Sequence, residues 1–239
     1  MNRRKRVTTQ CFECKNASCF VKQCSPEYIG LISAKKNQIK INKGQYIFRE
    51  DSPVFGIYFI QQGRVKVVSS NIDGKEQIVR LAGDGHILGH RGYGGETHPV
   101  GAVAQNDVWV CFLDNALLYD AFKANFEFLY AIMMFYSKEL RKSEQRSKYF
   151  AQMTVEERVI FALLYISESF GLEGMEGSPL ITLSRQEIAD IAATNADQVS
   201  RVLTSLKNRE QVSMEGKNII LADLEGLKKS IARYTTSYS

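Results

Sequence analysis

Between Thr182 and Leu221 the chain reads TLSRQEIADIAATNADQVSRVLTSLKNREQVSMEGKNIIL, a succession that fits two short capped helices and a β hairpin and little else. Ser184 and Glu187 stand three apart as a capping box, and Ile188, Ile191 and Ala192 then share one helical face. Past Ala193 and Thr194, Asn195 can cap a second helix whose Val199, Val202, Leu203 and Leu206 make one apolar stripe. That stripe leaves Asp197, Gln198, Ser200 and Arg201 near the exposed N-terminal end, and Val212 to Leu221 supplies two short strands around Gly216. A winged helix pair of this kind lays its second helix in the DNA major groove, where Arg grips guanine through two hydrogen bonds and a carboxylate accepts from cytosine N4. The candidate DNA-binding residues are Ser184, Arg185, Gln186, Asn195, Asp197, Gln198, Ser200, Arg201 and Lys217.

Charge runs the other way. From Thr154 to Ser239 nine Lys and Arg face twelve Asp and Glu, a net −3 where a DNA footprint is expected to be basic. Placement must compensate, with Arg185, Arg201, Lys207, Arg209 and Lys217 on one side and the acids elsewhere. The remainder of the chain is +8, from 22 basic and 14 acidic residues, so the total of +5 hides the asymmetry. With 239 residues, 44% of them hydrophobic, the chain can bury two ordinary cores. No apolar run approaches the roughly 18 residues of a membrane span, and the basic start Asn2-Arg-Arg-Lys-Arg6 leads into polar, Cys-rich sequence unlike a signal peptide. A cytoplasmic protein with no membrane partner is expected. No Ser/His/Asp or paired-carboxylate constellation stands out, which argues against an enzyme.

Short β-type runs punctuated by glycine extend from Ile39 to Leu113: Ile39 to Ile41, Tyr46 to Arg49, Gly56 to Gln61, Arg64 to Ser69, Gln77 to Ala82, Val100 to Ala104 and Val108 to Leu113. Turns are expected at Lys43-Gly44, Gln62-Gly63 and Asp73-Gly74. Many close-spaced short strands mean a sandwich or roll. From Phe126 to Phe150 a helix is expected whose Leu129, Met133, Tyr136 and Leu140 begin a 4-3 alternation like a coiled-coil seam, flanked by charged residues. Those four are the candidate dimer interface.

Cys11, Cys14, Cys19 and Cys24 crowd the N-terminal arm, and Cys111 is the fifth cysteine. In a reducing compartment such thiolates select soft metals, zinc or iron–sulfur. The spacing Cys-x2-Cys-x4-Cys-x4-Cys matches a zinc knuckle, but Lys15, Asn16, Ala17 and Ser18 stand where the knuckle has glycines. A buried strand cysteine is the plain reading of Cys111. His86, His90 and His98 fall in a glycine-rich loop and are expected to be solvated, and a haem ligand among them is the lesser alternative.

The order of roll, long helix and winged helix-turn-helix resembles the Crp/Fnr family of bacterial transcription regulators. Leu183-Ser-Arg-Gln-Glu-Ile-Ala189 resembles its first helix-turn-helix segment, Gln198-Val-Ser-Arg-Val-Leu203 its recognition helix and Gly216-Lys217 its wing turn, while Gly44, Gly63, Gly74 and Gly85-His-Ile-Leu-Gly89 match its turn glycines. Thr154-Val-Glu-Glu-Arg158 is similar to the start of its DNA-binding domain, whereas Ala193 replaces a turn glycine and Asp197 a Glu. If Ala193 takes φ > 0, the strain is about 1 kcal/mol. The resemblance implies a homodimer on an inverted repeat with RNA polymerase as partner, and Asp197, Ser200 and Arg201 reading a half-site such as TTGAT or TGTGA.

Family rolls often hold cyclic AMP through a Glu and an Arg-Ser or Arg-Thr pair. Here His90 and Pro99-Val100 occupy those places, so cAMP is not the expected ligand. The Fnr-like branch instead carries a [4Fe-4S] cluster on three arm cysteines and one from the roll, and His98 to Cys111 resembles the segment bearing that distant ligand. Anchoring on the last arm cysteine selects Cys14, Cys19 and Cys24, with Cys11 spare, and zinc stays open as the alternative. The expected fold is α+β: a Cys-rich arm (1–25), a cyclic-nucleotide-binding-like β-roll (26–122), a long dimerisation helix (123–152) and a C-terminal winged helix-turn-helix (153–239).

Overall fold

Alternation along the strands from Asn37 onward decides the first half of the molecule. A computed structural model describes residues 9–70, 74, 76–171 and 178–235; the basic Asn2 to Arg6 and Asp73 of the expected turn lie outside these. Helix α1 (Pro26–Lys35) precedes β1 (Asn37–Ile41), β2 (Tyr46–Phe48), β3 (Gly56–Gln62), β4 (Val65–Ser70), β5 (Glu76–Ala82), β6 (Ile87–Leu88), β7 (Gly101–Ala104) and β8 (Val108–Asp114). One sheet runs β1-β8-β3-β6 and the other β2-β7-β4-β5. Two-residue periodicity gives β3 two buried faces. Tyr58 stacks on Phe48 of the other sheet, while Ile57 and Phe59 face a cluster completed by Leu113, α1, helix α2 (Asn115–Ala124) and Phe128 and Ile132 beyond it. In β8, Cys111 pairs with Phe59 on one side and Gln38 on the other.

The expected strands are found with ends shifted by a residue or two, but α1, α2 and the two-residue β6 were not among the sequence expectations. Both helices nonetheless carry local start signals. Ser25 caps α1 through the Tyr28 amide with Pro26 just inside, and Asp114 accepts the Leu117 amide at 2.8 Å to start α2. Ahead of α1 a short 3-10 turn, Phe20–Gln23, closes the arm.

Helix α3 spans Phe126–Phe150, as its periodicity predicts. Phe128 and Ile132 are buried, whereas Leu129, Met133 and Leu140 are 42%, 54% and 62% exposed. Tyr136 departs from that outward seam: its hydroxyl donates to the His90 carbonyl and its ring joins the partly buried side chains of the roll cluster. A phenol beside an accessible carbonyl gains more by that bond than by facing solvent.

Residues 1–70 with 82–139, and 71–81 with 140–239, form two compact units. The second contains α4 (Val155–Phe170), β9 (Leu180–Ile181), α5 (Arg185–Ala192), α6 (Ala196–Asn208), β10 (Val212–Glu215), β11 (Asn218–Leu221), α7 (Leu224–Ser230) and α8 (Ala232–Thr235). Thr154 and Glu157 close a capping box at α4. Burial works to raise the Glu157 carboxyl, but the Thr154 amide and hydroxyl and the Arg233 guanidinium, 2.6 Å away, hold it below the usual carboxylate range. Tyr234 packs on Tyr149 and donates to the Gln152 carbonyl at 3.2 Å, so the α8 segment braces the α3–α4 corner.

Candidate functional site

The two short helices begin as the sequence dictates. Ser184 accepts the Glu187 amide at 3.3 Å while the Glu187 carboxylate accepts the Ser184 amide at 2.8 Å, and Asn195 accepts the Gln198 amide at 2.9 Å. Four orphan amides open every helix, so these caps fix where α5 and α6 start. Between them Ala193 adopts φ 50 and ψ 53, the left-handed turn that glycine would take without strain. Val199, Val202, Leu203 and Leu206 are buried, which turns Asp197 and Arg201 outward into solvent.

These contacts divide the candidate DNA-binding residues. Ser184 and Asn195 spend their side chains as caps, and the Ser200 hydroxyl donates back to the Ala196 carbonyl at 2.9 Å. Gln186 reaches Asp190 at 2.8 Å. Arg185, Asp197, Arg201 and Lys217 are exposed and Gln198 half-buried, so charged side chains bracket the start of α6 and the wing tip. Arg209 is drawn to Glu156 of α4 at 2.5 Å, which removes it from the set of uncommitted cations. The wing pairs Val212 with Leu221 and Glu215 with Asn218, and β9 extends the sheet on its other edge.

At the other unit a cavity of about 20 Å³ is lined by Cys11, Cys14, Cys19 and Cys111 together with Ile32, Lys36, Phe59 and Leu113. The arm is held over the roll by polar contacts that its sequence does not advertise. Asn16 donates to the carbonyls of Ile60 and Gln61 at 3.0 and 3.1 Å, and the loop passes so near Gly85 that a Cβ there would lie 2.6 Å from that of Ser18. The φ of 82 at Gly85 adds a second reason for glycine at that position. Lys22 donates to the Cys14 carbonyl at 2.9 Å. Thus the glycine-free loop folds by docking on β3, with a turn at Ala17-Ser18 that needs no glycine.

The cavity is lined by a different trio of arm cysteines from the one expected to act as ligands. Cys11 lines it, tied in place by its amide on Ser33 at 2.9 Å, while Cys24 is buried outside the lining at the end of the 3-10 turn. The cause is the return of α1, whose last turn meets the start of the arm. Burial pushes the Cys19 thiol up to about 11, against the Val21 amide that works to lower it, with Cys111, Cys11 and Cys14 adding to the rise. Burial and then the neighbouring Cys19 and Cys11 push Cys24 up to about 12. Cys111 is raised by burial too, and the Lys36 ammonium opposes it.

Four thiols around one space are the donors soft metals require, so the chemistry of the lining fits a thiolate-held centre. Among the described residues no three of His, Cys, Asp or Glu are gathered closely enough to hold a single metal ion.

Two of the three glycine-loop histidines are not solvated. His90 and His98 are 4% and 2% exposed, while His86 is half-buried. The His90 ring stands edge-on to Phe135 and Tyr136, and His98 stacks 4.1 Å from Phe48, where burial holds its imidazole below the usual value. Neither His90 nor the buried Val100 offers a fixed cation at the places where a cyclic phosphate would need one. Among the described residues no helix is long and apolar enough to cross a membrane.

Residues 38–125 match the cyclic nucleotide-binding domain family, and residues 157–230 match the Crp-like helix-turn-helix domain family. The transcriptional activator protein Anr of Pseudomonas protegens is 27% identical over 184 residues, 77% of this chain and 75% of that one. The fumarate and nitrate reduction regulatory protein of Vibrio cholerae is 26% identical over 196 residues, 79% and 78% of the two chains. The solved structure of FixK2 from Bradyrhizobium japonicum is similar in fold, with a TM-score of 0.71 at 24% identity, covering 81% of this chain and 96% of that one.

Proposed function

Since this chain belongs to the Crp/Fnr family of DNA-binding transcription regulators, a family that is not enzymatic, we propose that it acts in the cytoplasm as a homodimer, taking its signal at the cysteine cavity. The observation that carries this reading is the lining of one cavity by three arm cysteines and Cys111 of β8. Cys11, Cys14, Cys19 and Cys111 would hold an iron–sulfur cluster, and a [4Fe-4S] centre bound there supplies sensitivity to oxygen or redox state. Relatives named for transcriptional activation and for fumarate and nitrate reduction add support for the Fnr-like branch.

The same unit connects the arm to α3. Phe20, just after Cys19, meets Phe135 edge-on at 5.5 Å, and Phe135 in turn meets His90. Moving the arm therefore disturbs the inward side of a helix whose outward side bears Leu129 and Met133, the start of the proposed dimer seam with Leu140. In the dimer two copies of α6 address half-sites of an inverted repeat about one DNA turn apart, with Arg201 and Asp197 on bases, Lys217 on phosphate, and RNA polymerase as partner. The protein parts in this proposal are arm 1–25, roll 26–122, helix 123–152 and winged helix-turn-helix 153–239.

Purification without oxygen tests the signal. Brown protein that bleaches in air, with iron and sulfide in equal amounts, is the expected result; colourless protein with one zinc per chain would overturn it. Selection from random DNA tests the output, and recovery of no inverted repeat would count against it.

A further inference from the structure

The lining of the thiol cavity includes a lysine that the DNA-binding and dimer surfaces do not use. Lys36 follows directly on α1 and is only 8% exposed. Its ammonium donates to the Thr9 carbonyl at 2.8 Å and to the Cys11 sulfur at 3.3 Å, and its side chain lines the cavity together with Cys111. Its own backbone amide donates to Ile32 at 2.8 Å, so the last turn of α1 fixes its origin. One turn earlier Ser33 accepts the Cys11 amide and donates to Gln10 at 2.6 Å. The end of α1 thus clamps the first arm cysteine twice, once by a neutral bond and once by a charge.

Burying an ammonium is costly unless an opposite charge or strong acceptors receive it. One carbonyl and the sulfurs of Cys11 and Cys111 are a thin return for that cost. Four thiolates around a doubly charged centre, whether one zinc ion or a [4Fe-4S] core, leave a net charge of −2 in a largely apolar cavity. One fixed ammonium halves it. Charge-assisted donation to a ligating sulfur also orients that ligand, as outer partners of metal ligands commonly do.

We propose that Lys36 is the charge-compensating residue of the thiol cavity, holding Cys11 in place and retaining a centre that is anionic once its four thiolates are counted. This rests on the proposed binding of an iron–sulfur centre by Cys11, Cys14, Cys19 and Cys111. Lys35 provides the internal comparison. It stands next to Lys36 at the end of α1 but is exposed, where water screens its charge, and it does not line the cavity.

The test loads the full-length protein anaerobically with ferrous iron and sulfide, then follows visible absorbance and the rate of iron loss to a chelator. Lys36→Gln keeps a donor and drops the charge; Lys36→Arg keeps the charge; Lys35→Met is the control. The expected result is loss ten- to a hundredfold faster for Lys36→Gln, in line with removal of an outer partner of a metal ligand, rescue toward the parent rate by Lys36→Arg, and little change for Lys35→Met. Lys36→Met should behave as Lys36→Gln, and if it fails to fold by circular dichroism, the Gln variant decides. Parent protein that takes up no iron would sink the cofactor reading itself. Parent protein that loads, with Lys36→Gln retaining iron as well as the parent or as well as Lys35→Met, would overturn the role of Lys36 alone.

Discussion

The base-reading helices and the thiol cavity are built on opposite principles. At the starts of α5 and α6 the shaping contacts join residues three or four apart: Ser184 with Glu187, Asn195 with Gln198, Ser200 with Ala196. Around the cavity the decisive contacts join the arm to distant elements, Asn16 to Ile60, Cys11 to Ser33, Lys36 to Thr9. The first region offers charged side chains to solvent, and the second withdraws thiols and an ammonium from it. A surface that meets DNA can be specified by one stretch of chain, whereas a sensor pocket has to be assembled from several.

The largest effect should come from breaking that assembly. Cys111→Ser should abolish iron binding on anaerobic loading, while Cys24→Ser, outside the lining, should keep most of it; metal analysis of both variants checks the contrast. Equal loss in the two would mean that the arm alone supplies the ligands. Next in size is the outward seam of α3. Leu140→Glu should weaken the dimer at least a hundredfold, about 3 kcal/mol, because a carboxylate enters a paired apolar seam without a partner. An unchanged dimer by sedimentation would move the interface elsewhere.

Smaller effects are expected at the DNA surface, where Arg201→Ala should lose about 1–3 kcal/mol per half-site and relax preference at one base pair. Lys217→Ala should weaken all sequences alike and lower the salt slope by about one. Binding titrations over a series of salt concentrations distinguish the two, and a sequence-specific effect at Lys217 would remove the distinction between base reader and phosphate contact. Smallest is Ala193→Gly. Relief of the left-handed strain outweighs the added freedom of the unfolded chain, for a net gain of about 0.5–1 kcal/mol in thermal unfolding. A loss of stability there would show that the Ala193 methyl contributes packing.

The same contrast explains what could be read from the sequence. The stripe Val199, Val202, Leu203, Leu206 was legible because helix periodicity acts within a few residues, and the left-handed Ala193 because the resemblance puts a turn glycine there. Which arm cysteines line the cavity with Cys111 was not legible. Anchoring on the last arm cysteine favoured Cys24 over Cys11, but the path of the arm is set by the return of α1 and by Asn16 on β3, neither of which leaves a periodic signal. His90 and His98 misled in a related way: glycine-rich surroundings suggested solvent, and aromatic neighbours from β2 and α3 enclose them. The inward turn of Tyr136 likewise depends on one carbonyl, at His90, that no heptad pattern encodes.

The positions of these parts along the chain also set an order in time. All residues lining the cavity lie between Cys11 and Leu113, whereas α6 starts at Ala196 and the brace on the α3–α4 corner comes from Arg233 and Tyr234. Synthesis at about 5–20 residues per second leaves the cavity complete roughly ten seconds before the far unit can close its own contacts. If the cavity holds the proposed centre, a nascent chain can therefore take it up while it has no recognition helix. The state of that centre is then open to being set on the ribosome, ahead of any encounter with DNA.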